Sequence, residues 1–341
     1  MKSALITIFV LFIFIPQAWS LPGHNVLIDI EHRASPNASW LSSAKTDEDR
    51  IRFLLEELLK TATGKGLISR ARNKAMQTGH TLFDIILVGE VSITDTTLVR
   101  RFVPSSPENV VFDVRSKIYI NRDHKISDAV LDLAHELTHF VEKSGFNPYS
   151  PSFSAKDFIV STVEGKGGEV DAYLTECQVQ RELYGQRHQT HSNCERIQDE
   201  DGNLVRKKAV ALFYQLGPFY SAFLSEVAPY RLVRADFGDL SRRNTEFISS
   251  AYGLPYPLAA LREFASIQER VCANDQKRLG LMRESLGRFP AQEHESNGSA
   301  SDDRDPASLK STRNKEWFSM NQSFEKRCKT TSSSLSKVLK K

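Results

Sequence analysis

In the stretch LDLAHELTHF, residues 131–140, a histidine, a glutamate and a second histidine occupy positions 135, 136 and 139. On an α-helix, residues four apart lie one turn above each other on one face. His135 and His139 can therefore aim imidazole nitrogens at one point, where a divalent ion with Zn–N bonds of about 2.0–2.1 Å would sit. Glu136 projects beside that point rather than onto it. From there a carboxylate can take a proton from a metal-polarised water and pass it to a leaving amine. The bland alternative is a helix with two histidines on its wet face. It fits poorly, because the surrounding residues are apolar and buried ionisable groups are costly without partners.

A catalytic zinc needs a third protein ligand and an open position. The extended pattern HExxHxxGxxH is absent, since position 142 is Glu and position 145 is Gly. The third ligand must come from elsewhere. The next strong acidic helix start is Glu169, in GGEVDAYLTE, with Glu164 and Asp171 as rivals. A carboxylate that only stabilises a helix start through the dipole is the competing explanation of Glu169.

These residues must be positioned by regular elements. Val130, Leu133, Ala134, Leu137 and Val141 form an apolar stripe at helical spacing through HELTH, with Ser127 as the expected N-cap and Gly145 as the expected stop. Ile51, Leu54, Leu55, Leu58 and Leu59 predict a helix over 47–60, which TGKG (63–66) interrupts before a second short helix. TLFDIILVGEVSI (81–93) and VVFDVRSKIYINRD (110–123) predict strands. GKGG (165–168) punctuates the chain ahead of a helical run over 169–185. Helices are expected again over 209–228 and 258–286, with Pro218 and Pro229 as breaks. Beyond Pro290 the chain is polar and predicted to lack structure, although Cys328 and the Trp317-Phe318 pair suggest that part of it docks.

The 341 residues include 40% apolar and 26% charged residues, with a net charge of +3. That length suffices for a large core. The near-balance of charge argues against a nucleic-acid surface, which needs a concentrated basic patch. Lys2, the apolar run Ala4 to Ile15 and the small-x-small site Ala18-Trp19-Ser20 read as a secretory signal peptide over 1–20. The run is too short for a membrane span. Export permits disulfides, and the four cysteines are expected to pair as Cys177–Cys194 and Cys272–Cys328; four buried thiols are the alternative.

HELTH followed by a helix carrying E-x-x-A-Y resembles the gluzincin branch of the zincin metallopeptidases, over roughly residues 47–185. The resemblance implies an α+β zincin-like core, a small sheet plus the HExxH helix, followed by a mainly helical C-terminal half. It implies zinc bound by His135, His139 and Glu169, with Glu136 as general base. It also implies that KIYIN (117–121) is the edge strand that aligns peptide substrates. One departure is Tyr173, which stands where the family often has an aspartate that orients a ligand histidine. The expected organisation is a leader over 1–20, a catalytic core over 21–185, a helical region over 186–289 and a polar tail over 290–341. The expected activity is that of an exported zinc metallopeptidase acting on a protein or peptide. Another zinc hydrolase, for example on cell-wall peptide, and a non-catalytic zincin-shell scaffold are the alternatives.

Weaker signals remain. His188, His191, Cys177 and Cys194 make a structural zinc site conceivable, against the disulfide reading. Tyr149, Tyr173, His188 and His191 are candidate donors to a tetrahedral oxyanion, with nothing to choose among them. The aromatics of 211–224 are expected in the core. Asn37, Asn297 and Asn321 lie in N-x-S sequons.

Overall fold

The computed structural model describes residues 38–103, 106–150, 152–185, 193–287 and 306–329. The expected leader, Asn37, Asn297, His188 and His191 lie outside these residues. Helix α1 (Asp47–Leu58) starts on Thr46, whose hydroxyl accepts from the Asp49 amide. Helix α2 (Ala62–Gln77) begins at TGKG rather than being broken by it. Thr61 caps it by accepting from Gly64, and a Cβ at Gly64 would stand 2.1 Å from the Leu58 carbonyl oxygen. The glycine thus serves the close approach of α1 to α2.

The segment expected as one strand over 81–93 starts instead as a short helix, α3 (Leu82–Ile85), because Thr81 and Asp84 cap each other reciprocally. Strand β1 (Ile86–Gly89) follows, then β2 (Ile93–Val103) and β3 (Ser106–Asn121). The sheet order is β1-β3-β2, with β1 parallel and β2 antiparallel to β3. KIYIN is therefore in the central strand, and β2 is an edge. The physical reason is register: β1 pairs with Ile118–Asn121 on one side of β3, while β2 pairs with nearly its whole length on the other. Ser106 to Lys117 of β3 form with β2 a two-stranded ribbon that runs past the end of β1.

Helix α4 (Ile126–Glu142) carries HELTH. It begins at Ile126, with Lys125 as N-cap and Ser127 already helical, and ends ahead of Gly145 with Lys143 as C-cap. Val130, Leu133, Ala134 and Leu137 are buried against α1, α2 and the sheet, in a cluster that also holds Trp40, Leu54, Leu58, Ile118 and Ile120. Val141 packs at its rim. Helices α5 (Ala155–Val163) and α6 (Glu169–Tyr184) follow.

Helices α7 (Arg206–Phe213) and α8 (Tyr220–Val227) lie in the region expected to be helical from 209, and the break expected at Pro218 is the tight turn Gly217–Phe219 between them. After a small hairpin of β4 (Ile248–Ser249) and β5 (Leu254–Pro255), α9 (Tyr256–Gly287) spans 32 residues. A second core joins α5, α6, α7, α8 and α9, and it includes Phe213, Tyr214, Tyr220 and Phe223 from the aromatic stretch. Tyr173 and Cys177 of α6 belong to this core, whereas Val179 belongs to the first. The helix joins the two.

Within the polar segment beyond Pro290, α10 (Pro306–Phe324) is helical, contrary to the expectation of no structure there. The segment docks on α9: Trp317 Nε1 donates to the Leu279 carbonyl at 3.3 Å, and Cys272 is bonded to Cys328. Cys177 is bonded to Cys194, so both expected pairings are present, and no described cysteine is free. The chain is α+β, and no described helix is long and apolar enough to cross a membrane.

Candidate metal centre

Helix α4 is buried on nearly every side, so His135, Glu136 and His139 point into the protein. Charged groups survive such burial only when partnered. The partners come from α6 and the turn before it. Glu169, the first residue of α6, places Oε2 3.4 Å from His135 Nε2 and 3.6 Å from His139 Nε2. Ligand-capable atoms of His135, His139 and Glu169 all lie within 4.8 Å of one another, the one such group among the described residues.

The outer nitrogens are fixed as well. His135 Nδ1–H donates to Glu176 Oε2 at 3.2 Å, and His139 Nδ1–H donates to the Gly167 carbonyl at 2.8 Å. With Nδ1 engaged, each ring turns Nε2 inward, as a metal-binding histidine requires. Gly167 can reach α4 because it lacks a side chain: its φ is +67°, and a Cβ there would stand 2.4 Å from the Lys143 amide nitrogen.

The donor set fits a metal. Four-coordinate zinc with bonds of about 2.0–2.1 Å separates its donors by about 3.3–3.4 Å, close to the spacings of Glu169 from the two imidazoles. Charge points the same way. Burial opposes a charge on His135, but hydrogen bonds to Glu169 and Glu176 and the field of Glu136 outweigh it, holding its pKa well above the ordinary value. Burial likewise opposes ionisation of Glu169, yet the two imidazoles hold its carboxyl well below the usual range. Three carboxylates thus surround a site that favours a positive charge. An imidazolium and a divalent cation are two ways of supplying it.

Glu136 is not among the converging ligands. The Thr94 hydroxyl of β2 donates to its carboxylate at 2.7 Å, with the Glu136 backbone carbonyl at 2.9 Å as the competing acceptor. Burial pushes the Glu136 carboxyl upward, against the pull of His139, His135 and Thr94. That direction brings a carboxylate closer to the basicity useful near neutral pH.

The rival ligands are occupied elsewhere. Asp171 accepts from the Gly167 amide at 2.9 Å and pairs with Arg206 at 3.1 Å, while Glu164 accepts from the Tyr214 hydroxyl at 3.0 Å. Tyr173 does not orient a ligand; it packs against Phe213 and Phe247, and burial first, then Glu176, raises its pKa. Glu176 takes the role sought at Tyr173. Its signal was available, because seven residues bring a side chain back to the same helix face. The Cys177–Cys194 bond removes both thiolates from the conceived structural zinc site. Tyr149 lies under the Arg100 guanidinium, 3.7 Å from its carbon, rather than beside the ligands. Sequence reasoning missed Tyr256, at the start of α9. It is buried, and burial followed by the fields of Glu169, Glu136 and Glu176 raises its pKa well above normal, so its hydroxyl keeps its proton.

Glu176→Gln should weaken metal binding by about 10–100-fold, the range for partners that orient a ligand histidine. Competition with a chelating dye measures it, and an unchanged affinity would mean that Glu176 does not position His135.

No protein-family model, curated protein or solved structure matches this chain, so what the centre does must be argued from its own geometry.

Proposed function

We propose that the protein is an exported zinc-dependent metallopeptidase. The observation that carries this reading is the convergence of His135, His139 and Glu169, with Glu136 held beside them against the sheet edge. Two imidazoles and one carboxylate are a donor set suited to zinc with one position left open. When bound, zinc would supply Lewis acidity and make water ionisable near neutral pH. Glu136 would accept a proton at its carboxylate and return it to the leaving amine, with Thr94 fixing its orientation. A substrate backbone would pair with the open edge of β2, which leads directly to Thr94. The Tyr256 hydroxyl, keeping its proton, would donate a hydrogen bond to the carbonyl oxygen as charge develops there. A carboxylate beside the ligands favours catalysis over a structural metal, since a closed structural site does not require one. The two disulfides support export to an oxidising compartment.

The test is cleavage of an unbiased peptide library by purified protein. Chelation should abolish it and added zinc should restore it. Cleavage that persists in chelator after the metal has been shown to leave would overturn the reading.

A further inference from the structure

One face of helix α9 carries a row of polar residues that begins near the centre. Tyr256, Glu263, Arg270 and Asn274 occur at intervals of 7, 7 and 4, which align on a helix of 3.6 residues per turn. The two ends of this face are anchored. At the first, the Tyr256 phenol lies in the field of Glu169 and Glu136. At the other, Asn274 accepts from Arg100 of β2 at 3.0 Å and donates to the Tyr149 hydroxyl at 3.4 Å. Next to Asn274, Asp275 forms a buried ion pair with Arg100 at 2.6 Å. Helix α9 therefore meets β2 at Arg100, and its first turn lies in the field of Glu136, the carboxylate that Thr94 holds.

Glu263 stands between those anchors. It is partly buried and feels the charges of Glu169 and of Asp95, the neighbour of Thr94. Lys143 and Arg270 act on it through space, but no described residue forms a hydrogen bond or ion pair with it. Burial is the main cause that lifts its pKa, with Lys143 opposing. A carboxylate this confined, without a direct protein partner, gains from a cation brought beside it. A cation on a bound chain would supply that partner.

We propose that Glu263 selects the substrate by receiving a lysine or arginine side chain close to the scissile bond. Seven residues of helix separate Glu263 from Tyr256 by about 10 Å, the span of about three residues of extended peptide. The preferred cation lies within that distance of the bond cleaved. This inference rests on the peptidase reading for the identity of the substrate site.

The test uses the zinc-loaded full chain carrying Glu136→Gln, so that peptides bind without turnover. Short peptides blocked at both ends carry one lysine, norleucine or glutamate at each position in turn. Lysine should improve binding over norleucine by about tenfold or more at one position, as a hydrogen-bonded charge pair out of bulk water would. Adding Glu263→Gln should erase the difference, and adding Glu263→Lys should move the preference to glutamate. A lysine preference that survives Glu263→Gln, or no peptide binding at all, overturns the proposal. Library cleavage by the wild type separates the two readings. Hydrolysis without a nearby cation preference sinks the Glu263 assignment and spares the peptidase. No hydrolysis, with a Glu263-dependent lysine preference in binding, sinks the peptidase and spares the cation subsite.

Discussion

Glu136→Gln should keep its metal and lose peptide hydrolysis by at least about 10²–10⁴-fold, the usual contribution of general-base assistance. Glutamine matches glutamate in size and can still accept the Thr94 hydroxyl bond seen at 2.7 Å. The helix and the three converging side chains should be undisturbed. What the amide lacks is basicity. It cannot take a proton, and it removes a negative charge beside the attacking oxygen, so the loss can exceed that range. Metal content and turnover must be measured on the same preparation. A scaffold protein would show no hydrolysis in either form and equal binding in both. A variant that cleaves like the wild type would move the base to another residue.

The second large effect concerns the ligands. His135→Ala, His139→Ala and Glu169→Ala should each lower metal affinity by more than the 10–100-fold expected of an outer partner such as Glu176. Each leaves two donors and a poorly oriented site. Glu164→Ala should bind metal as the wild type does, because that carboxylate faces Tyr214. Asp171→Ala should cost far less than Glu169→Ala, because it reaches the centre only through the Gly167 amide. The readout is metal per chain after gentle purification, followed by titration. If Asp171→Ala empties the site and Glu169→Ala does not, the geometry described for Glu169 is not the binding geometry.

What the sequence revealed depended on how local each signal was. The HELTH pair is a single-turn relation, and the stripe from Val130 to Leu137 marks one helix, so both were readable from spacing. Glu169 sits 30 residues beyond His139, and only the resemblance selected it from Glu164 and Asp171. The Gly167 carbonyl is backbone and leaves no mark in residue type beyond a glycine at a positive φ. Tyr256 and Glu263 come into the field of Glu169 through the packing of α9, which no local pattern encodes. Strand β2 escaped notice because TDTTLVRR is polar and charged, as edge strands tend to be. Its invisibility and its position share a cause. KIYIN, more apolar, drew attention as an edge although its burial belongs to a central strand.

One short segment, Gly167 to Glu176, carries a backbone acceptor for His139, the third candidate ligand and the acceptor for His135. The acceptors for the two histidines therefore come from the turn before α6 and its first half, and a cation held there would join α4 to α6 as a covalent staple does. The loop it closes runs from His139 to Glu169. For a covalent staple, chain entropy over a loop of that length corresponds to about 3–4 kcal/mol. Next to this segment, the Cys177–Cys194 bond ties the same helix to the chain beyond it. A metal bound there and the disulfide would be two fasteners on one helix, and loosening either should raise the protein's demand for the other.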